Sequence, residues 1–293
     1  MSSNDKLKIT CIGKLEGHNG RVTSLAVSTD ANGNPLLISG GQDRKLIVWD
    51  LDLEREANEN AVLEAADQAN VIVGRPKKSL QGHKHFISKV EFHEKGQHVI
   101  SSSWDRTMRL WDLKTYKSVL FQGHSKDVLT ATFLDTRTVV SGSMDNTLQV
   151  WNTQGEAKYT CTEFEGWVSC ICPVPQSNKD KLLAVGSWDG NVRLFDKEYN
   201  LQQTYANNYP VVRVCTDADA DFLLVGERKG DINFFALKDD DNTVKKTLST
   251  NATYLNDFVY DSKHLNVITC ATSEGLVIKN IEKESESFYV DEI

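Results

Sequence analysis

Short runs of aliphatic, β-branched and aromatic residues, each bounded by polar turns, recur along the whole chain. Val22-Thr23-Ser24-Leu25-Ala26-Val27 and Val128-Leu129-Thr130-Ala131-Thr132-Phe133 alternate with period two, the pattern of half-buried β-strands. One stretch departs from it. Residues 52–70, rich in Ala, Glu and Leu, place Leu53, Ala57, Ala61 and Ala65 at a loose helical spacing. They read as an acidic insertion, either helical or a solvated loop, on the outside of the surrounding β unit.

The strands belong to a repeat. SGGQDRKLIVWDL (39–51), SSSWDRTMRLWDL (101–113) and SGSMDNTLQVWNT (141–153) align directly, and each follows a Gly-His pair: Gly17-His18, Gly82-His83 and Gly123-His124. Weaker copies follow at 184–197, 224–237 and 269–282. A four-stranded unit cannot bury both of its faces alone, whereas radial stacking about an axis covers them and leaves only short edges. The expected fold is therefore all-β: a single WD-repeat β-propeller spanning 1–293, with six recognisable blades and the seventh missing or incomplete. The later copies degrade the pattern. Asp189, Lys229 and Glu274 stand at the turn-Asp position, and Phe195, Phe235 and Asn280 at the Trp position.

Each strong copy contains His, Ser and Asp: His18, Ser39 and Asp43; His83, Ser101 and Asp105; His124, Ser141 and Asp145. A hydrolytic triad is needed once, with an oxyanion pocket and a nucleophile elbow. Three copies, each with a Trp six residues after the Asp (Trp49, Trp111, Trp151), indicate buried hydrogen-bond chains that fix blade geometry. No nucleotide-binding, metalloprotease or dinucleotide motif accompanies them. The expectation is a protein with no catalytic residue, metal, cofactor or small-molecule substrate.

Charge and cysteines refine this picture. Net charge is −8, but it is distributed unevenly. Residues 1–51 sum to +1 and 71–130 to +6, while 52–70 holds six acids and one base, and 131–293 sums to −10. Such asymmetry suits one face meeting an anionic partner. The six cysteines lack metal-ligand spacing; Cys170 and Cys172 share one face of a strand, which suits a core. MSSNDKLKIT has no apolar signal core, and no run approaches membrane-spanning length. These features imply a reduced, cytoplasmic setting with no membrane partner, in which the acceptor-like Asn251-Ala252-Thr253 carries no meaning.

The run LQGHKHFISKVEFHEKGQHVISSSWDRTMRLWDL, followed by FQGHSKDVLTATF, SGSMDNTLQVWNT and EGWVSC, resembles the receptor for activated C-kinase family, closely over roughly residues 14–175 and thinly afterwards. That family is a eukaryotic scaffold similar to the G-protein β subunit, docked on the head of the small (40S) ribosomal subunit. The resemblance implies 18S-type rRNA and small-subunit ribosomal proteins as partners of the early blades, and signalling proteins such as kinases elsewhere. The family's Arg-Asp-Lys turn corresponds to Gln42-Asp43-Arg44: Arg44 keeps the second charge, Gln42 lacks the first, and Lys45 stands in for it. Lys84 and His85, and Lys126, follow the second and third Gly-His pairs and complete the implied ribosome-binding set. The alternative is a non-ribosomal WD-repeat adaptor in a signalling or ubiquitin-ligase complex. Convergence of Arg44, Lys45, Lys84 and Lys126 on one face would discriminate between the two.

The family has seven blades, and its chain continues past the segment matched here by Glu284–Ile293. Residues Lys8-Ile9-Thr10-Cys11 read as the outer strand of a seventh blade whose inner strands are missing. Two geometries follow, a closed ring of six or a seven-blade arc with a gap, and the early blades favour the gapped form.

Overall fold

A computed structural model describes residues 14–30, 33–51, 74–174, 182–238, 242–261, 267–280 and 287–290. Among them all regular structure is β, 24 strands in six antiparallel sheets of four. Blade 1 comprises β1 (Val22–Thr29), β2 (Pro35–Gly41), β3 (Lys45–Leu51) and β4 (Gly74–Gln81). Blade 2 comprises β5 (Ile87–Phe92), β6 (His98–Ser103), β7 (Thr107–Asp112) and β8 (Ser118–Gln122). Blade 3 follows with β9 (Val128–Phe133), β10 (Thr138–Ser143), β11 (Leu148–Asn152) and β12 (Ala157–Cys161). Blade 4 holds β13 (Val168–Val174), β14 (Leu182–Ser187), β15 (Asn191–Phe195) and β16 (Leu201–Ala206). Blade 5 holds β17 (Val211–Thr216), β18 (Phe222–Glu227), β19 (Asp231–Ala236) and β20 (Val244–Ser249). Blade 6 holds β21 (Leu255–Asp261), β22 (Val267–Thr272), β23 (Gly275–Asn280) and β24 (Ser287–Val290).

Strands pair in chain order within each sheet. The first strand of every blade packs on the first strand of the next, from β1 on β5 through to β17 on β21, so the blades radiate from a common axis as a β-propeller. The core lies between blades. Ile38, Leu46 and Val48 of blade 1, for example, close on Ile87, Val90 and Trp111 of blade 2, each buried aliphatic side chain contributing about 1.5–3 kcal/mol relative to exposure.

The ring is open. No comparable packing joins β21 to β1, and Leu25 and Val27 on β1 are 62% and 71% exposed. The described residues form six blades with a gap between blades 6 and 1. Strand β24 pairs with β23 as the outer strand of blade 6, whereas Lys8–Cys11 lies outside the described residues. The insertion at 52–70 lies outside them as well. It leaves at Leu51 and returns at Gly74, which pair across β3 and β4, at the opposite end of blade 1 from the β2–β3 turn.

One register differs from expectation. Trp49, Trp111, Trp151, Phe195 and Phe235 pair with Leu37, Val99, Val139, Leu183 and Leu223. In blade 6 the hairpin is one residue shorter, so the residue opposite Ile268 is Lys279, not Asn280. Counting forward from Glu274 overshoots because the turn lost a residue.

Candidate nucleic-acid interface

The three repeated polar sets are brought together as continuous chains. In blade 2, the Trp111 indole N–H donates to Ser101 Oγ at 2.9 Å. The Ser101 hydroxyl meets His83 Nε2 at 2.8 Å, and His83 Nδ1 meets Asp105 at 2.9 Å. With the indole donating into Oγ, the consistent assignment has the hydroxyl donating to Nε2 and Nδ1–H to the carboxylate. Blade 1 repeats the chain through Trp49, Ser39, His18 and Asp43 at 2.8, 2.7 and 2.9 Å. Blade 3 does so through Trp151, Ser141, His124 and Asp145 at 2.9, 2.8 and 2.9 Å. Ser39, Ser101 and Ser141 are buried and each is held by its indole.

The aspartates also staple two loops. Asp43, Asp105 and Asp145 accept the backbone N–H of Asn19, Lys84 and Ser125 just after each Gly-His pair. Burial alone would raise the Asp105 carboxyl. The hydrogen bonds from His83, Thr107 and Lys84 N–H outweigh it and hold the group well below the usual carboxylate range. Asp145 is lowered by the corresponding donors His124, Thr147 and Ser125, against the same burial penalty.

The late blades keep the staple with other chemistry. Asp189 takes Glu165 N–H and an ion pair with Arg193 at 2.8 Å, while Phe164 and Phe195 fill the apolar space. In blade 6, Glu274 accepts both the Thr253 N–H and its hydroxyl. Burial pushes the Cys170 thiol up to about 12, so this residue packs as a neutral core side chain.

Each staple holds the loop that enters a blade against that blade's second turn, which puts both at one end of the sheet. Arg44 sits in the β2–β3 turn, Lys84 and His85 in the β4–β5 loop, and Lys126 in the β8–β9 loop. The structure therefore carries all of them on one rim of three consecutive blades. Arg44, Lys84 and Lys126 are exposed, and none makes an ion pair with a carboxylate among the described residues. The other two residues of the expected set sit differently. Lys45 is the first residue of β3 and half-buried, not part of an exposed turn. His85 lies flat on Trp104, ring centroids 5.8 Å apart, and accepts the Phe86 N–H through Nδ1.

Sequence reasoning missed Arg106. It occupies in blade 2 the turn position that Arg44 occupies in blade 1, and it is exposed. The alignment of SGGQDRK with SSSWDRT carried that signal. Both arginines adopt left-handed backbone, φ 68° and 69°, at a position that blades 3, 4 and 5 fill with Asn146, Gly190 and Gly230. That conformation costs a non-glycine residue about 1–2 kcal/mol. Two adjacent blades thus place an arginine at this turn position.

Residues 9–50, 74–112, 115–152 and 155–196 match the WD domain, G-beta repeat family. The chain is similar over 96% of its length to a small ribosomal subunit protein RACK1 of Neurospora crassa, 34% identical and covering 83% of that protein. MST50-interacting protein 11 of Pyricularia oryzae is 33% identical with the same coverage. The small ribosomal subunit protein RACK1 of Caenorhabditis elegans is 38% identical over 66% of this chain and 56% of its own.

Proposed function

Because this chain belongs to the RACK1 family of WD-repeat propellers, we propose that it is a ribosome-associated scaffold of the small subunit in the cytoplasm, binding rather than catalysing. The early-blade rim, Arg44, Lys84, Arg106 and Lys126, contacts rRNA phosphate and neighbouring ribosomal proteins, with Lys45 and His85 contributing from the edges. The remaining blades receive signalling proteins such as kinases. One observation carries the reading: four cations without carboxylate partners among the described residues, on the same rim of three adjacent blades, two of them in left-handed turns, within a chain of net charge −8. Phosphate contacts of this kind position a protein without reading sequence, and their strength falls with salt. The non-ribosomal adaptor gains no specific support from this arrangement.

Polysome sedimentation tests it. Arg44→Asp with Lys84→Glu, both at exposed positions, is expected to leave the small subunit at moderate salt while staying folded, and Arg44→Gly supplies the control for folding. Glycine relieves the left-handed backbone, so Arg44→Gly should hold or raise the melting temperature while weakening association. Each lost phosphate contact lowers the slope of log affinity against log salt by about 0.7–0.9. Co-sedimentation of both variants at wild-type strength across the salt series would remove the rim from the interface.

A further inference from the structure

Each blade sets two residues around the propeller axis at the end that carries the staples. One precedes the innermost strand, and the other opens the turn after the second strand. In every blade the backbone N–H of the latter donates to the carbonyl of the former. The two therefore stand side by side, as in Trp104 with Phe86, Trp188 with Trp167, and Arg228 with Pro210. The loops that hold these pairs all lie among the described residues. Rings dominate here. Phe86 and Trp104 have centroids 5.6 Å apart, and Trp167 and Trp188 4.5 Å, so each ring is oriented by its neighbour. Trp104 is 38% exposed and Tyr254, which precedes β21, is 48% exposed. Exposed aromatic surface gathered at one place marks an interaction site.

A cleft of about 290 Å³ opens on the axis between these rings. Its floor is the second residue of each innermost strand, from Thr23 to Asn256, and its walls include Phe86, Trp104, Trp188 and Arg228. Arg228 is the one charged residue of that lining. Its Cζ lies 5.7 Å from the ring centre of Trp188 in blade 4 and 5.2 Å from that of Tyr254 at the entry to blade 6. Rings from the two flanking blades thus hold the guanidinium and leave its N–H edge to recognise a planar anion. Arg193 and Arg213 pair with Asp189 and Asp257. Arg228 has no carboxylate partner among the described residues. The nearby acids are engaged elsewhere: Asp189 takes the Glu165 N–H and Arg193, and Glu227 takes the Asn208 N–H and the Asn233 amide. Lys229, next in the turn, donates to the Tyr209 hydroxyl at 3.0 Å.

We propose that this cleft binds a linear peptide segment of a partner protein, through one Asp or Glu carboxylate on Arg228 and one large apolar side chain among Phe86, Trp104 and Trp188. The size admits side chains and excludes a helix. The single cation sets the charge of the occupant at minus one. A phosphoryl group brings about −1.5 to −2 at neutral pH, and an RNA strand brings one charge per nucleotide toward a half of the chain, 131–293, whose net charge is −10. A carboxylate matches the guanidinium fork without surplus charge. Oriented aromatic rings around a desolvated arginine are also the composition on which protein interfaces concentrate their affinity. The site does not depend on the early-blade rim, whose cations lie outside the cleft lining.

The experiment selects a phage library of random linear peptides on the immobilised full chain, then titrates the most enriched peptide, labelled, by fluorescence anisotropy. Enriched peptides are expected to share an acidic residue close to a large apolar one. Arg228→Gln should weaken binding by about tenfold or more. Exchanging the peptide's acid for its amide should cost as much against wild type and little against Arg228→Gln, the signature of direct pairing. Trp104→Ala should weaken binding, while Arg44→Asp with Lys84→Glu should leave it unchanged. Thermal melts check that each variant is folded. If Arg228→Gln melts early, the acid-to-amide exchange in the peptide and Trp104→Ala decide the outcome on protein that is intact at the cleft floor. The proposal is overturned if no peptide is enriched, if enriched peptides share no acid, or if the acid and Arg228 show no coupling. It is equally overturned if the rim variant weakens binding as much as Arg228→Gln. Tighter binding of a phosphoserine version of the peptide, or its displacement by oligouridylate, would likewise overturn it.

Discussion

At the residue scale, the tetrads show how a polar chain can stabilise a β core. Each member satisfies its neighbour, and the aspartate additionally fastens a loop, so loss of one group strands a buried partner. Asp105→Asn is expected to destabilise the protein by about 1–3 kcal/mol at neutral pH. The sign of its pH dependence follows from the direction of the shift. The folded-state carboxyl lies below its ordinary value of 3.8, so its contribution is present above that value and is lost as pH falls through the folded-state value. Thermal melts of wild type and variant should therefore converge as pH drops below about 4. A gap as wide at pH 2 as at pH 7 would show that charge is not what the tetrad stabilises.

At the scale of strands and blades, the same position has opposite tolerance depending on what faces it. Gly142 of β10 has no room for a methyl group against Val168, so Gly142→Ala is expected to cost about 1–3 kcal/mol of overpacking in urea unfolding. Ala271 of β22 holds the equivalent place beside the gap and is exposed. Ala271→Leu in the isolated chain should fall within about 0.5 kcal/mol of wild type, as surface changes do. Equal costs at the two sites would contradict the open geometry. The strands themselves were legible from alternation and turn spacing, because blade packing on both faces demands it. The register of β23 was not, since a turn one residue shorter leaves the hydrophobic pattern almost unchanged while shifting every pairing after it.

At the scale of the whole molecule, stabilising devices are unevenly spread around the ring. Blades 1 to 3 carry full tetrads, blade 4 replaces the His–Asp link with the Arg193–Asp189 ion pair, and the full tetrad is missing from blades 5 and 6 among the described residues. Blade 6 also borders the gap. Amide hydrogen exchange should accordingly be fastest in blade 6 and slowest in blades 2 and 3, which are packed on both sides and fully networked. Uniform protection around the ring would refute that gradient. The early blades that carry the full tetrads also carry the cationic rim, on a rigid support.

The chain by itself determined the repeat, the all-β class, the tetrad membership and most of the rim, because each depends on residue types at short, fixed spacing. Arg106 was also written there, as the counterpart of Arg44 in an aligned turn. The tertiary structure alone decided that blade 6 does not pack on blade 1 among the described residues, that Lys45 is half-buried and that Lys279 takes the Trp place. These depend on what lies across a junction or a hairpin, where one methyl group or one turn residue outweighs any local pattern.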